Sequence, residues 1–227
     1  MKVRTLGPAA RFGVISDIDD TIVETGATNF LKHWRTVVAN SARSRTAFPG
    51  VSHLYRALTK GAGGPETNPI FYVSSSPWNL YDLFESFLAL RKIPHGPMFL
   101  KDFGLDRDKW LTGGHDGHKL RMIERIMDAH PELSFVLIGD SGQRDAAIYA
   151  EAARRHEGRV LAVHIRDVTG GILTDHAADG LVALRKMGIP VTNAETLMEA
   201  ATSAHAMGLI DADDVESVRK AIGERQG

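Results

Sequence analysis

At 227 residues the chain is the size of one α/β domain, long enough to bury roughly 70–75% of its unfolded surface in a core of its own. It has no cysteine, which excludes disulfides, thiolate metal sites and a cysteine nucleophile. With 27 basic and 28 acidic residues the net charge is −1, so no global excess draws the chain to nucleic acid or to an anionic membrane surface.

No run of 18 apolar residues offers a membrane span, and "MKVRTLGPAARFGVIS" lacks the apolar stretch of a signal peptide. The default expectation is a cytoplasmic protein that could sit peripherally at a membrane. The first apolar run, "RFGVISD" (11–17), begins so early that no separate N-terminal domain is expected before it. Residues 22–68 insert between it and the next run, are too short and broken for a large cap, and end in the flexible "KGAGGPETNP". A second strand, "PIFYVSS" (69–75), leads into "WNLYDLFESFLALRK", which puts Leu80, Leu83, Phe84, Phe87 and Leu90 on one helical face. A third strand, "GPMFL" (96–100), precedes a polar, glycine-rich loop at 101–118, whose Gly113, Gly114 and Gly117 suit the hinges of a movable lip. "HKLRMIERIMDAH" then aligns Leu120, Ile123, Ile126 and Met127. A fourth strand, "LSFVLIGD" (133–140), the Ala-rich helix "QRDAAIYAEAARRH" and a fifth strand, "RVLAVHIRD" (159–167), follow. From about 175 onward the pattern reads as further helices.

These runs are continuous rather than alternating, which suits a parallel sheet covered on both faces. The expected fold is α/β: one domain, 1–227, with a doubly wound, mainly parallel, five-stranded Rossmann-like sheet, helices on both faces and a minimal cap. Ligands of such folds sit at the carboxyl ends of the strands.

Three strand ends carry matching chemistry. The first ends in Asp17-Ile18-Asp19-Asp20-Thr21, the second in Ser74-Ser75-Ser76, the fourth in Gly139-Asp140-Ser141 with Asp145 soon after, and Lys119 opens the helix before the fourth strand. Crowded carboxylates repel and are costly to bury unless a cation offsets them. A phosphomonoester needs such a set. One carboxylate attacks phosphorus, a second protonates the leaving alkoxide and then activates water, and a lysine and a hydroxyl hold phosphate oxygens. Mg²⁺, which prefers hard oxygen ligands, would let the anions meet.

"DIDDT", the strand-ending serine, the helix-opening lysine and "GDSGQRD" resemble, in order, the four motifs of the haloacid dehalogenase superfamily, in its phosphatase branch. More narrowly, "SDIDDTI", "FYVSSSPWNL", "LKDFG", "HK", "LIGDSGQRD" and "VHIRDV" look like the catalytic domain of the actin-patch-associated, lipin-like phosphatidate phosphatases and their bacterial relatives. The likeness covers about residues 10–170, leaving C-terminal helices at about 175–227. It implies Mg²⁺-dependent hydrolysis of phosphatidate to diacylglycerol and phosphate through an aspartyl phosphate, at a membrane surface. Asp17 would be the nucleophile, and Asp19 the acid/base with its backbone carbonyl on Mg²⁺. Thr21 would support the loop. Ser74, or Ser75 in the shifted register, and Lys119 would bind phosphate. Asp140 would be a metal ligand, with Asp145 completing the acidic site.

Other readings compete at single positions. Asp20 suits a turn or helix cap, and Ser76-Pro77 the start of a helix. No G-x-S-x-G elbow supports a serine nucleophile. His115 and His118 lack a third metal ligand, and His164 reads as a core histidine. Trp78, Trp110, Phe99 and Leu100 either pack ordinarily or line the rim where acyl chains would lie. Two other functions stand beside phosphatidate hydrolysis: a phosphatase of soluble or protein phosphomonoesters, and a lipid-binding module without catalysis.

Overall fold

The computed structural model of the chain describes residues 9–19, 21–22, 47–62, 64–65, 67–101 and 115–224. The readings on Asp20, on Trp110, on the hinge glycines Gly113 and Gly114 and on most of the 22–68 insert lie outside these residues.

Among the described residues six strands form one sheet: β1 (Gly13–Ser16), β2 (Ile70–Pro77), β3 (Met98–Lys101), β4 (Phe135–Asp140), β5 (Val160–Arg166) and β6 (Val191–Ala194). Every pairing is parallel, in the order β3-β2-β1-β4-β5-β6. The expected doubly wound sheet is present with one strand more than the five predicted. β6, "VTNA", is short, half-buried and polar at Thr192 and Asn193, so it carries no apolar run to betray it. The chain winds outward from β1 to β3 on one side and from β4 to β6 on the other. β1 and β4 are therefore the neighbours at which the winding reverses, where a crevice opens at the strands' carboxyl ends.

Seven helices are described: α1 (Val51–Lys60), α2 (Tyr81–Leu90), α3 (His115–Ala129), α4 (Asp145–Arg155), α5 (Asp175–Lys186), α6 (Met198–Ala206) and α7 (Ala212–Gly223). α1 lies in the segment that the sequence reading left as an insert. It lies in the connection between β1 and β2, and its Leu54, Tyr55 and Leu58 are buried. On that face of the sheet one core joins Val14, Val136 and Ile138 to α1, to Phe84 and Phe87 of α2, to Ala200, Ala201 and Ala204 of α6, and to Val218 of α7. On the other face Ile15, Phe135 and Leu137 pack against Ile123 and Ile126 of α3, Tyr149 of α4, and Leu181 and Leu184 of α5. Both faces of the central strands are thus out of water, which explains why their sequences run apolar without alternation.

Polar ties fix the layers. Lys60 on α1 reaches Asp211 (3.2 Å) and Asp214 (3.1 Å) at the start of α7, where these two aspartates also form a capping box. Arg159 donates to the carbonyls of Leu133 (2.7 Å) and His130 (2.7 Å), holding the end of α3 to the entry of β4. No helix among the described residues is long and apolar enough to cross a membrane.

Candidate active site

The carboxyl ends of β1 and β4 bring Asp17 and Asp140 together, and the first turn of α4 adds Asp145. All three are buried, and one carboxylate oxygen of each lies within 4.8 Å of those of the others. Lys119, buried on α3, enters from the side. Its Nζ is 2.8 Å from Asp17 Oδ1 and 2.6 Å from Asp145 Oδ1, and it donates to Gln143 Oε1 at 3.1 Å. Burial alone would depress this ammonium, but Asp145, Asp17 and Asp140 outweigh it and hold Lys119 above the ordinary lysine pKa.

Each carboxylate is aimed by the backbone around it. The Asp17 N–H donates to the Ile138 carbonyl (2.9 Å), continuing the β1–β4 ladder one residue past the strand. Its carbonyl accepts from Ser16 Oγ (2.6 Å), which also pairs with the Tyr55 hydroxyl (2.7 Å) on α1. Asp17 Oδ2 accepts from Thr21 Oγ1 at 3.3 Å, so its two oxygens face different partners. Asp140 Oδ1 accepts from the N–H groups of Gly142 (2.7 Å) and Gln143 (3.0 Å), a turn that directs the chain into α4. Asp145 Oδ2 accepts from the Asp140 N–H at 3.2 Å. Gly139 makes this approach possible: a Cβ there would stand 2.8 Å from Asp145 Cβ and 2.9 Å from its Cγ.

Asp19 stands apart from the three-carboxylate cluster. Its Oδ2 accepts from Ser74 Oγ (2.6 Å) and Ser76 Oγ (2.9 Å). The Ser74 hydroxyl in turn accepts from the Ser76 N–H at 2.9 Å. Ser75, half-buried, alternates to the other side of β2, as an extended chain requires. Ser76 does not cap the next helix: β2 runs on to Pro77, and it is Pro77 that precedes the short 3₁₀ turn Trp78–Leu80, with no side-chain cap. Ser76 is thus a site residue that the sequence reading assigned elsewhere. Two-residue alternation from Ser74 was the available signal, overridden by the serine-proline pair. Gln143 was likewise passed over, inside a motif read for its aspartates.

Burial is the main cause that lifts the Asp17 carboxyl well above the ordinary aspartate range. Lys119 opposes this, and the negative charges of Asp145, Asp19 and Asp140 add to it. Three converging carboxylates are a hard-oxygen donor set that fits a divalent cation. His164 lies elsewhere, on β5, and its Nδ1 pairs with Thr192 Oγ1 at 2.9 Å.

The family model for the catalytic domain of phosphatidate phosphatase APP1 matches residues 12–167. The chain belongs to this family. Phosphatidate phosphatase APP1 of Saccharomyces cerevisiae is 32% identical over 155 residues, 68% of this chain and 25% of that protein. An uncharacterized protein of Schizosaccharomyces pombe, C29B5.04c, is 27% identical over 156 residues, again 68% of this chain and 25% of that one. The shared region is about a quarter of the length of these relatives. Among solved structures, a chain of the Pnkp1/Rnl/Hen1 complex aligns over 83% of this chain and 48% of its own, at 12% identity and a TM-score of 0.43, too loose a likeness to bear on function. Every site residue named above lies within the region matched by the APP1 catalytic-domain family, whereas α5, β6, α6 and α7 lie beyond it.

Proposed function

We propose that the chain is a Mg²⁺-dependent phosphatidate phosphatase that works at a membrane surface. The observation that carries the chemistry is Lys119 Nζ held 2.8 Å from Asp17 and 2.6 Å from Asp145, at the mouth of a parallel sheet. Membership of the APP1 catalytic-domain family supports phosphatidate as the substrate.

In this reading Asp17, Asp140 and Asp145 would hold the ion, together with the Asp19 backbone carbonyl. When bound, Mg²⁺ supplies positive charge that offsets the anions and draws electron density from the phosphoryl group. Lys119 binds non-bridging phosphate oxygens, and the Ser74 hydroxyl turns its one proton from Asp19 to a phosphate oxygen when substrate enters, orienting phosphorus for in-line attack. An Asp17 carboxylate oxygen forms a bond to phosphorus as the bond to the diacylglycerol oxygen breaks. Asp19, positioned by Ser76, gives that oxygen its proton. Asp19, now ionised, takes a proton from a water that attacks the aspartyl phosphate. Inorganic phosphate leaves and Asp17 is restored.

Phosphate release from phosphatidate vesicles, set against a panel of water-soluble phosphomonoesters, tests this reading. Asp17→Asn is expected to abolish release, and chelation to abolish it reversibly, with Mg²⁺ restoring it. Because the Asp17 pKa is raised in the fold, its ionised form costs stability as pH rises above the unfolded carboxylate value near 3.8. Asp17→Asn should therefore unfold in metal-free buffer at no lower a temperature than the native chain. Full activity of the variant would overturn the mechanism. A soluble phosphomonoester preferred by orders of magnitude would overturn the lipid assignment, and vesicle binding without phosphate release would leave a lipid-binding module.

A further inference from the structure

Large apolar side chains exposed singly on a surface need no explanation. Their placement here does. Among the described residues, three of them, Trp78 (62% exposed), Val168 (36%) and Ile172 (79%), sit on loops leaving the carboxyl ends of strands, the rim that holds the acidic cluster. Trp78 follows β2 two residues after Ser76, and Val168 and Ile172 follow β5. β1 and β4, which end in Asp17 and Asp140, lie between. With strands about 4.8 Å apart, β2 and β5 lie about 14 Å apart across the sheet, and the two apolar points flank the site.

Neither point is a floppy end. Trp78 begins the 3₁₀ turn after β2 and walls a groove of about 390 Å³ that joins apolar Met98, Phe99 and Leu100 to polar Asn79 and Asp82. The Ile172 loop is anchored at its root. Asp167 accepts from Ser141 Oγ (3.0 Å), the Thr169 N–H (2.8 Å) and the Gly171 N–H (2.6 Å), and Gly170 and Gly171 take left-handed backbone (φ 66° and 86°). The root of the loop that carries the exposed Ile172 is thereby fastened to Ser141, the residue after Asp140.

From this we infer that the rim of Trp78, Val168 and Ile172 is the surface that docks on a lipid bilayer containing phosphatidate. Tryptophan suits the boundary between headgroups and acyl chains, and Val168 and Ile172 enter beyond it. Contact at both points would turn the mouth between β1 and β4 toward the bilayer, so that a phosphate headgroup reaches Lys119 while its glycerol backbone stays at the surface. The inference rests on the phosphatidate reading for its choice of lipid, and on the placement of these side chains for its surface.

The test compares the native chain with Ile172→Asp, Trp78→Ala and the double variant, by flotation with phosphatidylcholine vesicles containing phosphatidate. Hydrolysis is measured on the same vesicles and on a short-chain phosphatidate kept monomeric. Each single change should weaken vesicle binding about tenfold or more, the free energy of burying one such side chain expressed as a ratio. Vesicle hydrolysis should fall with binding while turnover of the monomeric substrate holds. Native binding by the double variant, no vesicle binding by the native chain, or equal loss on monomeric and vesicle substrate would overturn the docking surface. A dimer that Ile172→Asp dissociates would assign the rim to a second copy and also overturn it. No release from any phosphatidate would refute the substrate reading instead, while flotation would still judge the surface.

Discussion

Gly139→Ala is the most discriminating small change this fold offers. The added methyl carbon would stand 2.8 Å from Asp145 Cβ and 2.9 Å from Cγ, closer than carbon atoms pack. These are not the far end of a flexible side chain. They belong to the first residue of α4, whose carboxylate is held by Lys119 at 2.6 Å and by the Asp140 N–H at 3.2 Å. Relief therefore moves the start of α4 or breaks one of these contacts. Overpacking of this kind costs about 1–3 kcal/mol of stability. A displacement near 1 Å at a catalytic group costs about 10²-fold in rate. The expected variant unfolds at lower urea and releases phosphate about a hundredfold more slowly. Gly158→Ala is the control: its backbone is left-handed (φ 75°) but nothing lies within 4 Å of the added carbon. It should lose about 1 kcal/mol and keep its turnover. Urea melts and steady-state phosphate release on both variants decide the matter. Native stability and turnover in Gly139→Ala would refute the claim that this glycine makes room for the Lys119 counterion.

Two further outcomes follow from contacts at the site and in the sheet. Ser76→Ala removes one of the two hydroxyls that position Asp19 Oδ2, and since a positioned general acid contributes about 10²–10⁴-fold, phosphate release should fall about tenfold or more. Unchanged release would return Ser76 to a merely structural place in β2. Burial pushes His164 down to about 4, so between that value and its unfolded value near 6.5 the unfolded chain binds the extra proton, and stability falls as pH drops through this window. Urea unfolding at pH 7 and pH 5 should show the native chain losing on the order of 2 kcal/mol more than His164→Gln, and parallel losses would refute the assignment.

What could be read in advance follows burial. β1, β2, β4 and β5 show as unbroken apolar runs because both sheet faces are covered, and Asp17, Asp140, Asp145 and Lys119 stood out because several charges at strand ends need a common reason. β6 escaped because an edge strand has little apolar surface to display, and "NAETLMEAATSAHA" beside it reads as helix from its first residue. α1 escaped because its ten residues lie between a long segment of mixed character and the glycine-rich "KGAGGPETNP". The different situations of the two DxD carboxylates were beyond the sequence altogether. Spacing alone makes Asp17 and Asp19 look like a pair, yet Asp17 faces a lysine and Asp19 faces two serines. That difference is made by β2, more than fifty residues away in the chain.

The bond between Ser16 Oγ and the Tyr55 hydroxyl reaches further than its 2.7 Å. Tyr55 is kept in place by α1, and α1 is roofed by α7 through Lys60, Asp211 and Asp214, residues on both sides of the position where likeness to the APP1 family stops. The edge of shared ancestry is therefore not the edge of cooperative unfolding. A fragment trimmed to residues 12–167 would keep every residue of the candidate site but lose α7, which ties down α1 and with it Tyr55, the partner of Ser16 Oγ. Chimeras and shortened expression fragments of this protein are better cut after α7 than at the limit of homology.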